Sequence, residues 1–216
     1  MTLTEHVRTA VAATLGLAAA AWILTAQQTD GMDLGAATDL GSLAFFVAAW
    51  LPMMAAMMLP GAAPAVARRV RSDRHARAVP LFLGSYLAVW AVAGLAVYAL
   101  YRPHGATVAG VLAIAAGVYE LTPLKRDCRR RCRASVRSGF EFGFYCVGSS
   151  IGLMVVLLAL GAMSVMWMVA VGVVAVAQKV LPPTPVIDVP LASVIVALGI
   201  FAVISPSSVP GLTPTM

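Results

Sequence analysis

The chain has 216 residues, of which 61% are hydrophobic and 11% are charged, and its formal net charge is +6. Soluble domains carry about 25% charged residues, so this composition excludes an ordinary soluble protein and predicts a multi-pass membrane protein. The apolar stretches cover nearly the whole chain, which leaves no room for a separate soluble domain.

Seven apolar stretches follow one another, each close to the roughly 20 residues that a helix needs to cross a bilayer. Helix is the expected structure, because lipid cannot satisfy exposed backbone groups and no alternating barrel pattern occurs. We therefore predict an all-α, polytopic transmembrane helical bundle with its N-terminus inside. Its spans would be 8–27, 41–60, 80–101, 106–123, 143–160, 163–179 and 190–206. A single transmembrane domain would cover residues 1–206, with a flexible tail over 207–216.

The basic residues set the predicted orientation. With seven spans and a cytoplasmic N-terminus, every lysine and arginine except Arg102 lies on the cytoplasmic side, as the positive-inside rule expects. The positive charge therefore needs no nucleic-acid partner. We expect a bacterial inner-membrane protein whose partners are the lipid bilayer and the anionic headgroups that face its arginine-rich loops.

The second predicted span contains a methionine-rich segment over residues 50–60. In a helix Met53 lies one turn from Met57, and Met54 one turn from Met58, so the thioethers pair on neighbouring faces. Thioethers are soft ligands suited to Cu(I), but methionine also fills gaps between packed helices. The spacing leaves copper binding and simple packing both open.

Glu120 is the one acidic residue near a predicted membrane interior. Ionisable groups within spans are costly and suggest a function. However, Lys125 follows about one turn later, beyond the helix-disrupting Pro123, so an ion pair at the membrane interface also explains this glutamate. We favour that structural role over a metal or proton role.

Cys128 and Cys132 lie in a basic segment on the predicted cytoplasmic side, where thiols stay reduced. If the segment is helical, the two thiols share one face, and the surrounding arginines should lower their pKa. They could then hold a soft metal ion, although a zinc site would still lack ligands. The alternative is two incidental cysteines in a solvated loop.

A long uncharged stretch covers residues 142–177. Cys146 lies close to its start, and Met154 lies two turns further along. The stretch is too long for one comfortable span and short for two. Gly161 and Ser164 favour a tight hairpin near its middle. We expect two spans, because a single one would place Lys179 on the outer side.

The sequence offers no support for an enzyme. Its three histidines, His6, His75 and His104, fall in separate segments. No metalloprotease motif, Ser/His/Asp grouping or glycine-rich phosphate loop occurs.

Several motifs together resemble a bacterial family of predicted metal-binding integral membrane proteins, which is otherwise classed as a domain of unknown function. The resemblance covers roughly residues 45–180. It rests on the methionine segment 50–60, on Tyr86 and Trp90, on 119–126 with Cys128 and Cys132, on Gly143, Tyr145, Cys146 and Gly148, and on Leu153, Met154, Gly161, Met163, Trp167 and Met168. These motifs run in the order that the family shows.

The resemblance implies metal binding, and its soft sulfur ligands point towards copper. The sequence departs from the family pattern at two places. Ser149 and Ser150 stand where the family typically has a cysteine pair, and Gln178 stands where it usually has a glutamate before the lysine. These changes remove two thiols and a carboxylate that could bind a cation.

Three functions follow from these observations. The first is copper handling by ligand exchange between sulfur sites; the expected cofactor is copper, or none if the methionines only pack. The predicted ligand set is Met53, Met54, Met57, Met58, Cys128, Cys132, Cys146, Met154 and Glu120. The second is a non-catalytic accessory or assembly subunit that binds a membrane protein partner and whose methionines only pack. The third is a small-molecule or proton transporter that uses Glu120, although no convincing internal repeat occurs.

Overall fold

The computed structural model describes residues 2–29, 40–73, 78–135, 137–161, 164–182 and 184–205. These residues form eight α-helices and no strand, so the predicted all-α class is confirmed. The helices are α1 (Leu3–Thr29), α2 (Leu43–Asp73), α3 (Ala78–Leu100), α4 (Ala106–Glu120), α5 (Pro123–Ala134), α6 (Gly139–Leu160), α7 (Val165–Val180) and α8 (Pro185–Ile204). The predicted tail over 207–216 lies outside the described residues.

Five of these helices, α1, α2, α3, α6 and α8, are long and apolar enough to cross a membrane. Helices α4 and α5 meet at a bend of 64° and together could form a sixth span, and α7 is a shorter apolar helix. Each of the seven predicted spans coincides with a helix, but length and composition support five or six crossings, so the expected count of about seven is not established. Helix α5 is the additional element, formed by the basic segment between α4 and α6.

Helix α2 is longer than predicted. Its 31 residues correspond to about 46 Å at the helical rise of about 1.5 Å per residue, more than the roughly 30 Å of a bilayer core. The helix continues through Pro52, Pro60 and Pro64, since helix–helix packing can support a chain that has lost backbone hydrogen bonds to proline. Its additional turns carry Arg68 beyond the apolar segment.

Helices α6 and α7 are separated where the sequence predicted a break. Gly161 ends α6 with φ 134°, a conformation that glycine adopts without a steric penalty. Ser164 then precedes the first turn of α7. The uncharged stretch thus forms two helices, but α7 is shorter than a spanning helix, so the expected second span is not established; Ala162 and Met163 lie outside the described residues.

The centre of the bundle is formed by α2 and α6. Helix α2 packs against α1, α3 and α7, whereas α6 packs against α3, α4, α5 and α7. Helix α8 packs on α4, where the backbones approach closely: a Cβ on Gly110 would lie 2.6 Å from the carbonyl oxygen of Gly199. Small residues permit such close contacts between membrane helices.

Basic side chains gather at one end of this bundle. Arg68 of α2 donates a hydrogen bond to the carbonyl oxygen of Arg133 at 2.9 Å, and Arg69 donates to that of Arg137 at 2.7 Å. The end of α2 therefore lies beside α5 and the start of α6. We call this region the basic end; Arg102 follows α3 at the opposite end.

The sides of the bundle expose large apolar residues, as lipid contact would require. The most exposed are Leu81, Leu100, Val186 and Ile204, each more than 70% accessible. Exposed apolar residues at both ends of α3 and α8 are compatible with a lipid-facing surface.

Candidate metal centre

Three sulfur atoms from three helices converge near the basic end. Met58 of α2 and Cys146 of α6 are fully buried, and Cys132 of α5 is 4% exposed. Cys132 Sγ lies 3.9 Å from the carbonyl oxygen of Phe142, one turn before Cys146 on α6, and the two thiols interact electrostatically. We call Met58, Cys132 and Cys146 the sulfur cluster.

Lys179 of α7 extends its ammonium group into the sulfur cluster. Its Nζ lies 3.2 Å from Met58 Sδ and 3.3 Å from the hydroxyl oxygen of Tyr86. The same hydroxyl is joined by a hydrogen bond of 3.2 Å to Cys146 Sγ. One lysine and one tyrosine thus hold the sulfur groups of α2 and α6 together.

Gly61 explains how Lys179 reaches this position. A Cβ at Gly61 would lie 2.4 Å from Lys179 Cδ, so the lysine stem lies directly on the backbone of α2, one turn after Met58. Among the described residues no carboxylate pairs with Lys179. Its part-buried ammonium group therefore contacts a thioether and a phenol at the inner end of the bundle's basic side.

Two of the other predicted methionines, Met53 and Met57, make packing contacts elsewhere in the bundle. Met57 faces α7, where its Cγ would lie 3.5 Å from a Cβ on Gly172. Met53 lines a separate small apolar cavity together with Met168. Met54 and Met154 are buried in the core. Their packing roles are thus visible, while their metal binding stays a prediction.

Cys128 also lies apart from the sulfur cluster. It packs on α6 at Gly148, where a Cβ would lie 2.8 Å from its sulfur. Burial and the nearby Asp127 carboxylate raise the pKa of Cys128, and the guanidinium of Arg131 offsets only part of this.

The expectation that arginines would lower the thiol pKa values was therefore wrong for Cys128. The pKa of Cys132 is raised as well, by its interaction with Cys146 and by burial. Desolvation disfavours a thiolate; at Cys128 it acts together with the Asp127 carboxylate, and at Cys132 the interaction with Cys146 is the larger cause.

Glu120 belongs to a buried polar network in which its Oε2 is partnered, while its Oε1 is buried without a hydrogen-bond partner among the described residues. Its carboxylate is ion-paired with Lys125 and accepts a hydrogen bond of 2.8 Å from Gln178 Nε2. Lys125 Nζ also donates to Gln178 Oε1 at 3.0 Å. The predicted pairing of Glu120 with Lys125 is confirmed, but both side chains are buried in the protein interior, at 0% and 2% exposure. Gln178 of α7 bridges the pair.

A second buried ion pair, absent from the sequence predictions, joins Arg129 to Asp188. Arg129 Nη1 donates to Asp188 Oδ1 at 2.6 Å, and its other nitrogens donate to the carbonyl oxygens of Gln178 and Leu181. The two pairs together fasten α5 to α4, α7 and α8. The sequence does contain a signal for this pair: Asp188 is a single acid in an otherwise apolar helix, which indicates a buried partner.

A cleft connects the sulfur cluster to the basic end. Its volume is about 180 Å³, and its walls include Cys132, Lys179, Ser149, Arg68 and Arg133. Within the described part of the chain, no group of three or more histidine, cysteine, aspartate or glutamate side chains is placed to hold a metal ion. A metal in this region would therefore depend on thioether as well as thiol sulfur.

A family model with the description "PpoB2: Copper chaperone" matches residues 47–202. The chain belongs to this copper chaperone family. The match covers more than two thirds of the 216 residues and includes the whole sulfur cluster and both buried ion pairs. No curated protein and no solved structure matches the chain significantly.

The copper chaperone family is metal-related, as the resemblance in the sequence implied. Of the two serines that stand in place of the cysteine pair, Ser149 lines the cleft and donates a hydrogen bond of 2.9 Å to the carbonyl oxygen of Cys146. A cysteine at this position would add a thiol beside Cys132. Gln178, the other departure, lies in the network around Glu120 and not in the cleft.

Proposed function

We propose that this protein handles copper within a membrane, holding one Cu(I) ion between Cys132, Cys146 and Met58. The observation that carries the proposal is the convergence of these three sulfur atoms around Lys179 in a chain of the copper chaperone family. Thiolate and thioether sulfur are the ligands that select Cu(I).

Charge balance supports the same arrangement. Cu(I) bound by two thiolates carries a net charge of −1, and the ammonium group of Lys179 supplies a charge of +1. The loaded site would be neutral overall, which favours it in a low-dielectric interior. The loaded state would thus supply the negative charge that Lys179 lacks among the described residues.

The mechanism we propose is ligand exchange without a change in oxidation state. The thiols of Cys132 and Cys146 lose their protons when Cu(I) binds, because the thiolate is the metal ligand. Release to an acceptor reverses the step. Cys132 lines the cleft and Cys146 lies behind it, so Cys132 is the first and last protein ligand in this sequence.

We further propose that the bundle crosses the bacterial inner membrane with its basic end in the cytoplasm. The apolar sides, the five long apolar helices and the collected arginines support this orientation. The cleft would then open to the cytoplasm beside anionic headgroups, where a membrane protein partner could accept the metal.

The contacts of Glu120 favour this function over proton or small-molecule transport. A carboxylate that is ion-paired with Lys125 and held by Gln178 is suited to fastening helices. The packing of Met53 and Met57 fits a structural role for most of the methionine segment, which leaves Met58 as its proposed ligand. No reaction is proposed, so the protein is not an enzyme in this account.

Competition titration of the purified full-length protein against a chromophoric Cu(I) chelator tests the proposal. We expect one Cu(I) per chain. Cys132→Ser and Cys146→Ser should each weaken binding by at least about 100-fold, more than the 10–100-fold typical of groups that only support a ligand. Met58→Leu should weaken it less.

Cys128→Ser is the matched control, because it removes a thiol from the same helix outside the sulfur cluster. Equal copper binding by the wild type and the Cys132→Ser/Cys146→Ser double variant would refute the site. A joint Met53→Leu/Met54→Leu/Met57→Leu variant should retain its copper, which separates packing methionines from the proposed ligand.

A further inference from the structure

The cleft above the sulfur cluster is strongly cationic. Four basic side chains contribute to its walls, and no acidic residue does: Arg68, Arg129, Arg133 and Lys179. Arg129 is neutralised by Asp188 at 2.6 Å. The remaining three have no carboxylate partner among the described residues.

The two outer arginines are available for a ligand. Arg68 and Arg133 are both exposed, and the contact of 2.9 Å from Arg68 is made to a backbone carbonyl oxygen, which leaves its charge uncompensated. Arginine binds carboxylates through paired hydrogen bonds in one plane. The cleft thus combines two carboxylate-binding groups with the thiol of Cys132.

This charge distribution determines which form of copper can enter. A hydrated copper cation would be repelled by three uncompensated positive charges, whereas an anionic complex would be attracted to them. We propose, on the basis of the proposed function, that the cleft receives Cu(I) as an anionic complex of a small carboxylate-bearing thiol. Arg68 and Arg133 hold the carboxylates of the carrier while its copper passes to Cys132.

The transfer balances without a further reactant. The carrier brings Cu(I) bound by two of its thiolates, and the protein brings the thiols of Cys132 and Cys146. Two carrier Cu–S bonds break and three protein Cu–S bonds form, two to the cysteine thiolates and one to the neutral thioether of Met58. The two protons leave Cys132 and Cys146 and are taken up by the departing carrier thiolates. Copper stays Cu(I) throughout, and the complex keeps a charge of −1 at the metal.

The size of the cleft favours a small carrier over a protein. Its volume of about 180 Å³ is below the roughly 300–1,000 Å³ of pockets that enclose drug-sized ligands. One arm of a small complex fits beside Cys132 while the other stays at the open mouth. Cys132 is 4% exposed and lies in the cleft, where the surface of a folded domain would have difficulty reaching it.

The rate of copper transfer tests this inference. Full-length protein in nanodiscs of zwitterionic lipid and phosphate-free buffer would be mixed with Cu(I) complexed by mercaptosuccinate, a dicarboxylate thiol, or by 2-mercaptoethanol, a thiol without a carboxylate. These conditions exclude lipid headgroups and phosphate as competing anions. We expect Arg68→Gln/Arg133→Gln to slow transfer from the mercaptosuccinate complex by about tenfold, within the range of electrostatic effects on association.

The same double variant should change transfer from the 2-mercaptoethanol complex by less than about threefold, because the electrostatic gain grows with the charge of the carrier. Arg71→Gln/Arg130→Gln is the matched control: it removes one charge from each of the same two helices, at exposed positions that do not line the cleft. It should behave as the wild type. Arg68→Lys/Arg133→Lys should retain most of the rate, since the charge is kept.

Two results would overturn the inference: equal slowing with both carriers, or no difference between the cleft variant and its control. If the wild type takes up no copper from either carrier, the proposed function itself is refuted. Final copper stoichiometry from the 2-mercaptoethanol complex shows whether each variant is intact. If the glutamine variant is not intact, the lysine variant serves instead. The inference would be overturned if that variant takes up copper from the mercaptosuccinate complex no faster than from the 2-mercaptoethanol complex.

Discussion

The ion pair between Glu120 and Lys125 permits a quantitative test of whether this glutamate is structural. Replacing Lys125 by methionine keeps a similar side-chain length and removes the charge. Glu120, which is 0% exposed, would then be a buried carboxylate supported only by the amide of Gln178 at 2.8 Å. Loss of one partner from a buried pair costs about 3–5 kcal/mol.

The opposite single change, Glu120→Met, should cost a similar amount because Lys125 would be left as a buried cation. The double variant Glu120→Met/Lys125→Met should lose much less, since apolar replacement of a whole buried pair is often nearly neutral. The remaining cost is the amide of Gln178, which loses its partners and contributes about 1–3 kcal/mol. We therefore expect a coupling energy of at least about 3 kcal/mol between the two positions.

Denaturant unfolding in detergent micelles, followed by circular dichroism, measures the four members of this cycle. Leu124→Met is the control, because Leu124 is 61% exposed on the same helix and its replacement should have little effect. Destabilisation of the double variant by the sum of the two single effects would refute the reasoning. Loss of copper from a stably folded Glu120→Met variant would show that Glu120 is a ligand after all.

Three further outcomes follow from the structure. Burial raises the pKa of Cys128, so its thiolate fraction near pH 7.5 should be below that of free cysteine. Mass spectrometry should therefore show slow alkylation by iodoacetamide, which accelerates only as the pH approaches the raised pKa. Alkylation faster than that of free cysteine would contradict this. Ser149→Cys should tighten Cu(I) binding by about tenfold through an added soft ligand, and an unchanged chelator titration would argue against the cleft as the metal's route. Gly61→Val adds a Cβ that would lie 2.4 Å from Lys179 Cδ, so it should displace the lysine and weaken copper binding. Circular dichroism should still show a folded helical protein. An unaltered copper affinity would remove Lys179 from the proposed site.

Hydrophobicity and charge were sufficient to predict most of the helices. The break at Gly161 was visible because an uncharged stretch of that length exceeds one span and glycine readily adopts a positive φ. Helix α5 was harder to predict, because five arginines and a lysine among twelve residues are also typical of a solvated loop. This helix is stabilised by tertiary ion pairs with α4 and α8, which cannot be predicted from the local sequence of the segment.

The candidate site was only partly predictable. Methionine spacing indicated α2, yet helical periodicity cannot say which methionine faces which neighbouring helix; the structure places Met58 against Lys179. The convergence of Cys132 with Cys146 depends on how α5 packs against α6. Lys179 was used as a marker of orientation, although a charge at the end of an apolar helix also indicated a polar partner in the interior.

The sulfur ligands themselves provide the most direct test of the account. X-ray absorption at the copper edge of the Cu(I)-loaded full-length protein reports the atoms bound to the metal. We expect a shell of sulfur only, with three scatterers in the wild type and two in Met58→Leu. A shell of nitrogen or oxygen, or a spectrum unaffected by replacing Cys132 and Cys146, would contradict the proposed centre.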